Sequence, residues 1–175
     1  MSSSSETFSV AVAPPSAPLR FRDRVRARIG AADLLVFRVG GERFAIDLQA
    51  VDETVEQPQV HAVPESTSTM LGVFLHGSQF LPLYYAAKVL DVRDHRRELG
   101  AALVMRAGSR RIGLAVSDVE DVLNVEFGAL RECPEGVWAD EILLGLLVRE
   151  RQVIGVLDAR ALVTACQTPP IPDAL

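Results

Sequence analysis

Arg43-Phe44-Ala45-Ile46-Asp47-Leu48 is the stretch that decides the fold, because apolar side chains recur in it at every second position. Successive side chains of a β-strand point to opposite faces, so Phe44, Ile46 and Leu48 would share one face. The polar residues between them would then face away from the core. The stretch therefore predicts a β-strand with one buried face.

A β-hairpin is predicted around this strand. Residues 34–39 form an apolar run just before it, and Gly40-Gly41 separates the two. A pair of glycines between two strands is typical of a two-residue hairpin turn, since glycine readily adopts the positive φ angles that such turns need.

The same pattern occurs a second time in the chain, which makes it a weak internal repeat. Residues 35–38 are echoed by residues 103–106, and residues 72–75 by residues 145–148. The apolar face of the first strand is kept, because Phe44, Ile46 and Leu48 correspond in order to Ile112, Leu114 and Val116. Each half then supplies about five short strands, which can close into a small barrel without exposed edges.

Some strands are apolar on both faces, notably residues 153–157. One face can fill a barrel while the other packs against a sister barrel. The predicted fold is therefore all-β with short helices: two five-stranded SH3-like β-barrels packed around a shared core. The domain is predicted at residues 34–168, with one barrel at about 34–92 and the other at about 100–168.

The two ends of the chain have a different character. Residues 1–33 are predicted to contain a disordered Ser-, Ala- and Pro-rich tail and then a short basic amphipathic helix, in which Phe21, Val25 and Ile29 recur every four positions between arginines. The helix is interpreted either as a docking peptide or weak membrane-surface helix, or as a solvated helix packed loosely on the domain. Residues 169–175 are predicted to be a C-terminal tail.

Composition excludes several classes of protein. The 175 residues are 49% hydrophobic and carry a formal net charge of −5, which argues against a general nucleic-acid binder. Cys133 and Cys166 have no CxxC spacing and are expected to be reduced thiols. Neither a signal peptide nor an apolar run long enough for a membrane helix is apparent, so a cytoplasmic protein without membrane insertion is expected.

Catalytic and metal-binding motifs are not apparent in the sequence. His61, His76 and His95 are scattered over predicted loops and turns, and no Gly-rich phosphate loop or nucleophile elbow is present. We therefore expect no metal, no cofactor and no enzyme activity. A small-molecule enzyme that uses a groove between the barrels stays open as an alternative from another class.

An ordered set of residues resembles the CheW-like family of chemotaxis coupling proteins. Leu35-Val36-Phe37, Gly40 and Phe44-Ala45-Ile46-Asp47-Leu48 are similar to the opening of CheW domains. The family's central strand pair resembles Gly72-Val73 with Pro82-Leu83, and its second barrel opens in a way similar to residues 111–116 and 119–123.

The resemblance implies a non-catalytic adaptor in a bacterial chemosensory array, related to two-component signalling. Such proteins bind the CheW-like regulatory domain of the histidine kinase CheA and the cytoplasmic tips of methyl-accepting chemoreceptors, and they can assemble into rings. Receptor-groove positions carry over to Val51, Glu53, Thr54, Gly72 and Gly77. Kinase-contact positions carry over to His76, Ser78, Glu135 and Trp138.

The chain departs from the family pattern at the turn between the central strands. Where the family usually carries Asn-Leu-Arg-Gly, this chain has Leu75-His76-Gly77-Ser78. Tyr85 stands where the family commonly places Asp, although Asp158 keeps an acid at the equivalent place in the second half. These departures leave a second hypothesis open, in which the protein is a divergent accessory subunit that binds a different partner through its Arg-rich helix.

Overall fold

The computed structural model describes residues 17–64, 68–94, 97, 99–135 and 141–168, and most of these lie in β-strands. The predicted tails at residues 1–16 and 169–175 lie outside the described residues. Three α-helices and two short 3₁₀ helices accompany the strands: α1 (Phe21–Ala27), α2 (Ala86–Val89), α3 (Ala159–Gln167), η1 (Leu48–Ala50) and η2 (Phe127–Ala129). The strands are β1 (Ala31–Val39), β2 (Glu42–Asp47), β3 (Val51–Glu56), β4 (Val60–His61), β5 (Met70–His76), β6 (Gln79–Tyr85), β7 (Ala101–Ala107), β8 (Arg110–Val116), β9 (Asp118–Glu126), β10 (Leu143–Arg149) and β11 (Gln152–Leu157).

The strands form two sheets, and each sheet combines strands from both halves of the chain. Sheet 1 has the order β10-β11-β2-β1-β9, and sheet 2 has the order β3-β7-β8-β6-β5-β4. The first hairpin of each half (β1–β2 and β7–β8) therefore lies in the same sheet as the later strands of the other half. This pairing corrects the predicted division, in which residues of about 34–92 formed one barrel and residues of about 100–168 the other.

The exchange has a physical reason in the two connections that follow the hairpins. After β2 the chain turns through η1 and enters sheet 2 as β3, and after β8 it passes Ser117 and enters sheet 1 as β9. The two sheets are then built alike: β2 pairs in parallel with β11 in one and β8 with β6 in the other. The internal repeat thus describes two equivalent sheets, each made of one exchanged hairpin and the later strands of the opposite half.

A core shared by the two sheets confirms that part of the prediction. Phe44 and Ile46 lie in it together with Ile112, Leu114 and Val116, their counterparts in the repeat. Each buried aliphatic or aromatic side chain of this kind stabilises the fold by about 1.5–3 kcal/mol. Helices α2 and α3 add side chains to this core, and so does the residue directly after α2: Ala86, Ala87, Leu90, Leu162, Val163 and Cys166.

Alternation along each strand divides the apolar residues between this shared core and a second core inside each sheet. On β1, Leu35 and Phe37 face the shared core, whereas Leu34 and Val36 belong to the core of sheet 1. On β11, which was predicted to be apolar on both faces, Val156 belongs to the core of sheet 1 and the adjacent Leu157 to the shared core. The predicted fold class, mostly β with short helices around a shared core, is confirmed.

Helix α1 is part of the folded unit. Val25 is only 4% exposed and lies in the core of sheet 1. The ring of Phe21 meets that of Phe127 edge to face, with centroids 5.5 Å apart. The guanidinium of Arg24 lies over the ring of Phe127, with its Cζ 5.2 Å from the centroid. The folded unit therefore includes this helix, which precedes residue 34, and Ile29, predicted to share the packed face, is instead exposed.

Replacing Gly113 with alanine should destabilise the protein, because a Cβ at this position would lie 2.4 Å from Cε1 of Phe74 and 2.9 Å from Cδ1 of Leu83. Overpacking of this kind costs about 1–3 kcal/mol, which urea unfolding would report as a lower midpoint with an unchanged slope. Gly128→Ala is the control, since a Cβ there meets nothing within 4 Å. Equal midpoints for the two variants would contradict this account of the packing.

Candidate partner-binding surfaces

Two of the residues singled out from the sequence, Glu53 and His76, form a contact at one end of sheet 2. Nε2 of His76 lies 2.6 Å from Oε2 of Glu53. Their strands, β3 and β5, are not neighbours in the sheet order. The contact therefore requires sheet 2 to curl round on itself, and it joins a predicted receptor-groove residue to a predicted kinase-contact residue.

Asp52 extends this end of sheet 2 with a second set of charged contacts. Its carboxylate accepts from Nε of Arg106, with distances of 3.0 and 3.1 Å to the two oxygens, and lies 3.4 Å from Nε of Arg111. We call the five residues Asp52, Glu53, His76, Arg106 and Arg111 the charged end of sheet 2. Its members pair with one another across strands that are far apart in the sequence.

A β-bulge at Asp52 separates the three candidates on β3. Val51 pairs with Met105 and Thr54 with Leu103, whose side chains both face the shared core, whereas Glu53 pairs with Val104, which faces the core of sheet 2. Because residues opposite one another in a sheet share a face, Val51 and Thr54 lie on one side of the strand and Glu53 on the other. Val51 and Thr54 therefore share one face of β3, and Glu53 lies on the opposite face.

Gly72 is buried and has a structural reason to be glycine. A Cβ on this residue would lie 2.3 Å from the carbonyl oxygen of His61 on the neighbouring strand β4, and its φ of +148° is one that other residues rarely adopt. Gly77 differs, because it lies exposed in the turn between β5 and β6, beside the exposed Ser78, with a φ of +62°. Of these two candidates, Gly77 is at the surface and Gly72 is not.

An exposed apolar pair flanks that turn. Leu75 and Phe80 lie opposite one another on β5 and β6 and are 55% and 62% exposed. The ring of His61 meets Phe80 edge to face at 5.9 Å. We call Leu75, Phe80 and His61 the hairpin patch. Sequence reasoning missed Leu75 and Phe80, although an apolar residue on the outward face of a strand was the signal that could have found them.

The equivalent hairpin of sheet 1 carries a smaller version of the same feature. Val148 and Val153 lie opposite one another on β10 and β11 and are 44% and 54% exposed. Of the candidates near this sheet, Glu135 is exposed at the described end of the connection between η2 and β10. Trp138, the other candidate in that connection, lies outside the described residues.

A groove of about 1110 Å³ runs between α1, η1, α2 and α3. The last residue of η1, Ala50, lines it, and Val51 follows directly in the chain. Small or apolar residues make up more than half of its lining, and charged residues make up most of the remainder. The lining includes Arg20, Phe21, Arg22, Asp47, Gln49, Thr69, Lys88, Val89, Glu141, Ile142, Asp158, Ala159, Arg160, Ala161, Thr164, Ala165 and Thr168.

Asp158 lies in the wall of this groove and is 7% exposed. Its carboxylate caps the first turn of α3 by accepting from the backbone N–H of Arg160 at 3.2 Å. It also lies 3.2 Å from Nε of Arg22 on α1. One carboxylate therefore both begins α3 and holds α1 against it.

Tyr85 occupies the equivalent place in the first half and works differently. It precedes α2 without a side-chain cap, and its hydroxyl donates to Oδ2 of Asp94 at 2.5 Å. Burial, together with this hydrogen bond to a carboxylate, raises the pKa of Tyr85 to about 12. Asp158 thus caps the helix that follows it, whereas Tyr85 forms a hydrogen bond to the segment between the two halves.

Two further observations bear on the predictions about chemistry and membranes. Burial raises the pKa of the Cys166 thiol to about 12, which disfavours the nucleophilic thiolate. In the part of the chain that the structure describes, no group of three His, Cys, Asp or Glu side chains is placed to hold a metal ion. No helix within those same residues has the length and apolar character needed to cross a membrane.

Comparison with known proteins gives consistent results. The model of the CheW-like domain family matches residues 33–167. A probable chemotaxis protein CheW of Rhizobium etli is 24% identical over 143 residues, which cover 79% of this chain and 92% of the relative. The chemotaxis protein CheW of Klebsiella aerogenes is 25% identical over 142 residues, covering 76% and 82%. The crystal structure of the scaffolding protein TtCheW from Thermoanaerobacter tengcongensis superposes with a TM-score of 0.67 at 16% identity, covering 75% of this chain and 91% of that one.

Replacing Asp158 should separate its two roles. Asp158→Ala removes both the cap of α3 and the ion pair with Arg22, and we expect a loss of about 2 kcal/mol in the free energy of unfolding. Asp158→Asn keeps a capping oxygen and should lose about half as much. Urea unfolding measures both, with the exposed Asp118→Ala as the control. Equal losses for the two Asp158 variants would show that the cap contributes nothing.

Tyr85 should ionise later in the folded protein than in the unfolded chain. Its folded pKa of about 12 lies above the 10.0 of an unperturbed tyrosine, so its contribution to stability is present below pH 10 and is lost as the pH rises towards 12. In Asp94→Asn the burial remains but the carboxylate is gone, so the pKa of Tyr85 should fall. Absorbance of tyrosinate at alkaline pH, with Tyr85→Phe as the reference for the remaining tyrosine, measures this. An unchanged titration in Asp94→Asn would contradict the assigned contact.

Proposed function

The chain belongs to the CheW-like domain family, and from this premise we propose that it is a non-catalytic adaptor that joins a CheA-type histidine kinase to chemoreceptors. The match carries the proposal, because residues 33–167 extend from β1 to the end of α3 and so include both sheets and the shared core. The two relatives are a probable chemotaxis protein CheW and a chemotaxis protein CheW, and the similar solved structure is that of a scaffolding protein. On this proposal the protein works in the cytoplasm, beside membrane-associated receptor arrays.

The hairpin patch is the surface we propose for the regulatory domain of the kinase. Exposed large apolar side chains next to one another are uncommon on a monomer and typically mark an interaction site. Phe80 provides an aromatic side chain of the kind that contributes most to binding energy, and the predicted contacts His76 and Ser78 lie between it and Leu75 in the same hairpin. An apolar centre with polar residues beside it is typical of a reversible protein interface.

The second hairpin supports a second contact of the same kind. Val148 and Val153 lie where the internal repeat puts them, equivalent to Leu75 and Phe80, and we propose that they act with Glu135 and Trp138. Two unlike surfaces on one protein generate a head-to-tail arrangement rather than a closed dimer. Such an arrangement can continue into the rings that the family forms with its kinase domains.

The groove is the surface we propose for the receptor tip, which in this family is a helical coiled coil. Its alanines, at positions 50, 159, 161 and 165, leave room for a helix to approach closely. Val51 and Thr54 remain receptor candidates. Val51 directly follows η1, and both residues lie on the side of β3 that faces the shared core. Glu53 pairs with His76 and Gly72 is buried, so both support the surface rather than form it.

The alternative hypotheses receive less support from these contacts. Arg22, Arg24 and Arg28 of the basic helix bond to acceptors within the chain, which weakens the hypothesis that this helix recruits a separate partner. The charged groups at the proposed surfaces also pair with one another, as Asp158 does with Arg22 and Glu53 with His76. This pairing fits a binding surface better than a catalytic site.

Phe80→Ser should weaken binding of the kinase regulatory domain and leave binding of the receptor tip unchanged. Loss of a central aromatic side chain costs about 1–3 kcal/mol, so we expect the dissociation constant to rise about tenfold or more in calorimetric titrations. Val122→Ser is the matched control, since Val122 is 43% exposed on β9 and belongs to neither hairpin. Equal weakening by the two variants would count against the hairpin patch.

The adaptor proposal itself has a separate test with the unmodified protein. Titration with the regulatory domain of a kinase encoded in the same genome, and with a helical hairpin that contains a receptor tip, should give saturable binding for each. If the protein binds neither, the proposed function is wrong, whatever the variants show.

A further inference from the structure

The acidic side chains that line the groove between α1, η1, α2 and α3 are mostly engaged by neighbouring groups. The carboxylate of Asp158 lies 3.2 Å from Nε of Arg22. The carboxylate of Asp47 caps η1 by accepting from the backbone N–H of Gln49 at 3.1 Å. Glu141 is the third acidic residue among the described residues of the lining, and it is exposed. Two of these three carboxylates are therefore already used within the chain.

The basic side chains of the same lining show the opposite pattern. Arg22 is paired with Asp158, but Arg20, Lys88 and Arg160 are exposed. Within the residues that the structure describes, the side chains of these three form no hydrogen bond or ion pair. They come from the start of α1, from α2 and from α3, so positive charge borders the groove on more than one side. This concentration runs against the formal net charge of −5 of the whole chain.

One wall of the groove comes from a part of the chain that the family model does not match. The match begins at residue 33, after α1, whereas Arg20, Phe21 and Arg22 line the groove. This wall is fixed to the domain, because Val25 is buried in the core of sheet 1 and Phe21 packs on Phe127. A helix this short is unstable alone, so these contacts keep it in place. Arg20 is therefore a feature of this groove that the matched residues do not supply.

We propose that the groove selects a receptor-tip helix with carboxylates on the face that enters it, and that Arg20, Lys88 and Arg160 are specificity-determining residues. The inference rests on the proposed function, because it specifies the chemistry of the partner proposed for this groove. Complementary charge speeds association and disfavours partners of like charge. The alanines of the lining contact the body of the helix, and the three cations pair with acidic side chains along its edges.

The location of the three cations makes the selection sensitive to salt. Charges that are exposed on a surface are screened by dissolved ions, and the screening length falls to about 3 Å at 1 M salt. Affinity for an acidic receptor tip should therefore decrease as the salt concentration rises. A contact made only by the alanines and the other apolar residues of the groove would not weaken in this way.

The test uses charge reversals in the full chain and calorimetric titration with a helical hairpin that contains a receptor tip. Arg20→Glu and Arg160→Glu should each raise the dissociation constant about threefold or more at low salt, and the double variant about tenfold or more. Glutamate is favourable near the N-terminal end of a helix, and Arg20 and Arg160 lie at the starts of α1 and α3, so both variants should fold. Arg26→Glu is the matched control, since Arg26 is exposed on α1 and does not line the groove.

Two further measurements separate charge complementarity from a general loss of affinity. Raising the salt from about 0.05 M to about 0.5 M should weaken binding of the unmodified protein and change that of the double variant much less. A receptor tip whose exposed Glu and Asp are changed to Gln and Asn should bind the unmodified protein more weakly and should no longer distinguish it from the double variant. Affinity for the kinase regulatory domain should stay the same in all variants.

The inference and the proposed function fail in different ways. If the double variant bound the receptor tip as well as Arg26→Glu does, the inference would be wrong, while saturable binding of both partners by the unmodified protein would still support the adaptor. A loss of kinase binding instead of receptor binding in the double variant would assign the groove to the kinase and would also overturn the inference. If the unmodified protein bound no receptor tip, the proposed function and the inference would both be wrong.

Discussion

The exchange of hairpins between the two halves is the constraint on which the rest of the structure depends. Sheet 1 needs β1 and β2 from the first half and β9 to β11 from the second, and sheet 2 needs the reverse. Neither half can complete a sheet alone, and the shared core receives side chains from both. Because each sheet is completed only by strands from the other half, the two sheets are expected to form together as one cooperative unit rather than as two separable barrels.

The same exchange accounts for charged contacts that otherwise look unrelated. Arg43 lies 3.0 Å from Glu120, and Arg111 lies 3.4 Å from Asp52. The repeat makes these the same contact twice, each joining an exchanged hairpin to the strand through which the other half enters that sheet. Partly exposed ion pairs add little stability. We therefore interpret these two pairs as contacts that help to set the register in which hairpin and strand meet. The recurrence of the pair in both halves is independent support for the equivalence of the two sheets.

The sequence predicted the strands, their buried faces and the shared core, but not the strand pairing. The alternation of apolar and polar residues shows which side chains face inward. This pattern would be the same whether Phe44 packed beside strands of its own half or beside strands of the other half. The chain passes from one sheet to the other at η1 and at Ser117, and the sequence has no strong turn signal at either place. At the surfaces, Glu53 and His76 were both selected, yet their contact could not be predicted because it depends on the curl of sheet 2. Leu75 and Phe80 were missed because their strands are apolar at nearly every position, so the outward apolar residues did not stand out from their neighbours.

Two of the departures from the family pattern, at residues 76 and 77, lie beside a turn, whereas Tyr85 is partly buried against the shared core. Gly77 lies in a turn with a φ of +62°, and glycine adopts this conformation without the strain that an arginine there would carry. His76, beside it, contacts Glu53, so the acid on β3 keeps a partner. Tyr85 gives up a helix cap and gains a hydrogen bond to Asp94. None of these residues is among the fully buried members of the shared core. Outward and turn positions can therefore change with the partners while the exchanged hairpins preserve the fold, which is why a chain about one quarter identical to its relatives retains both sheets.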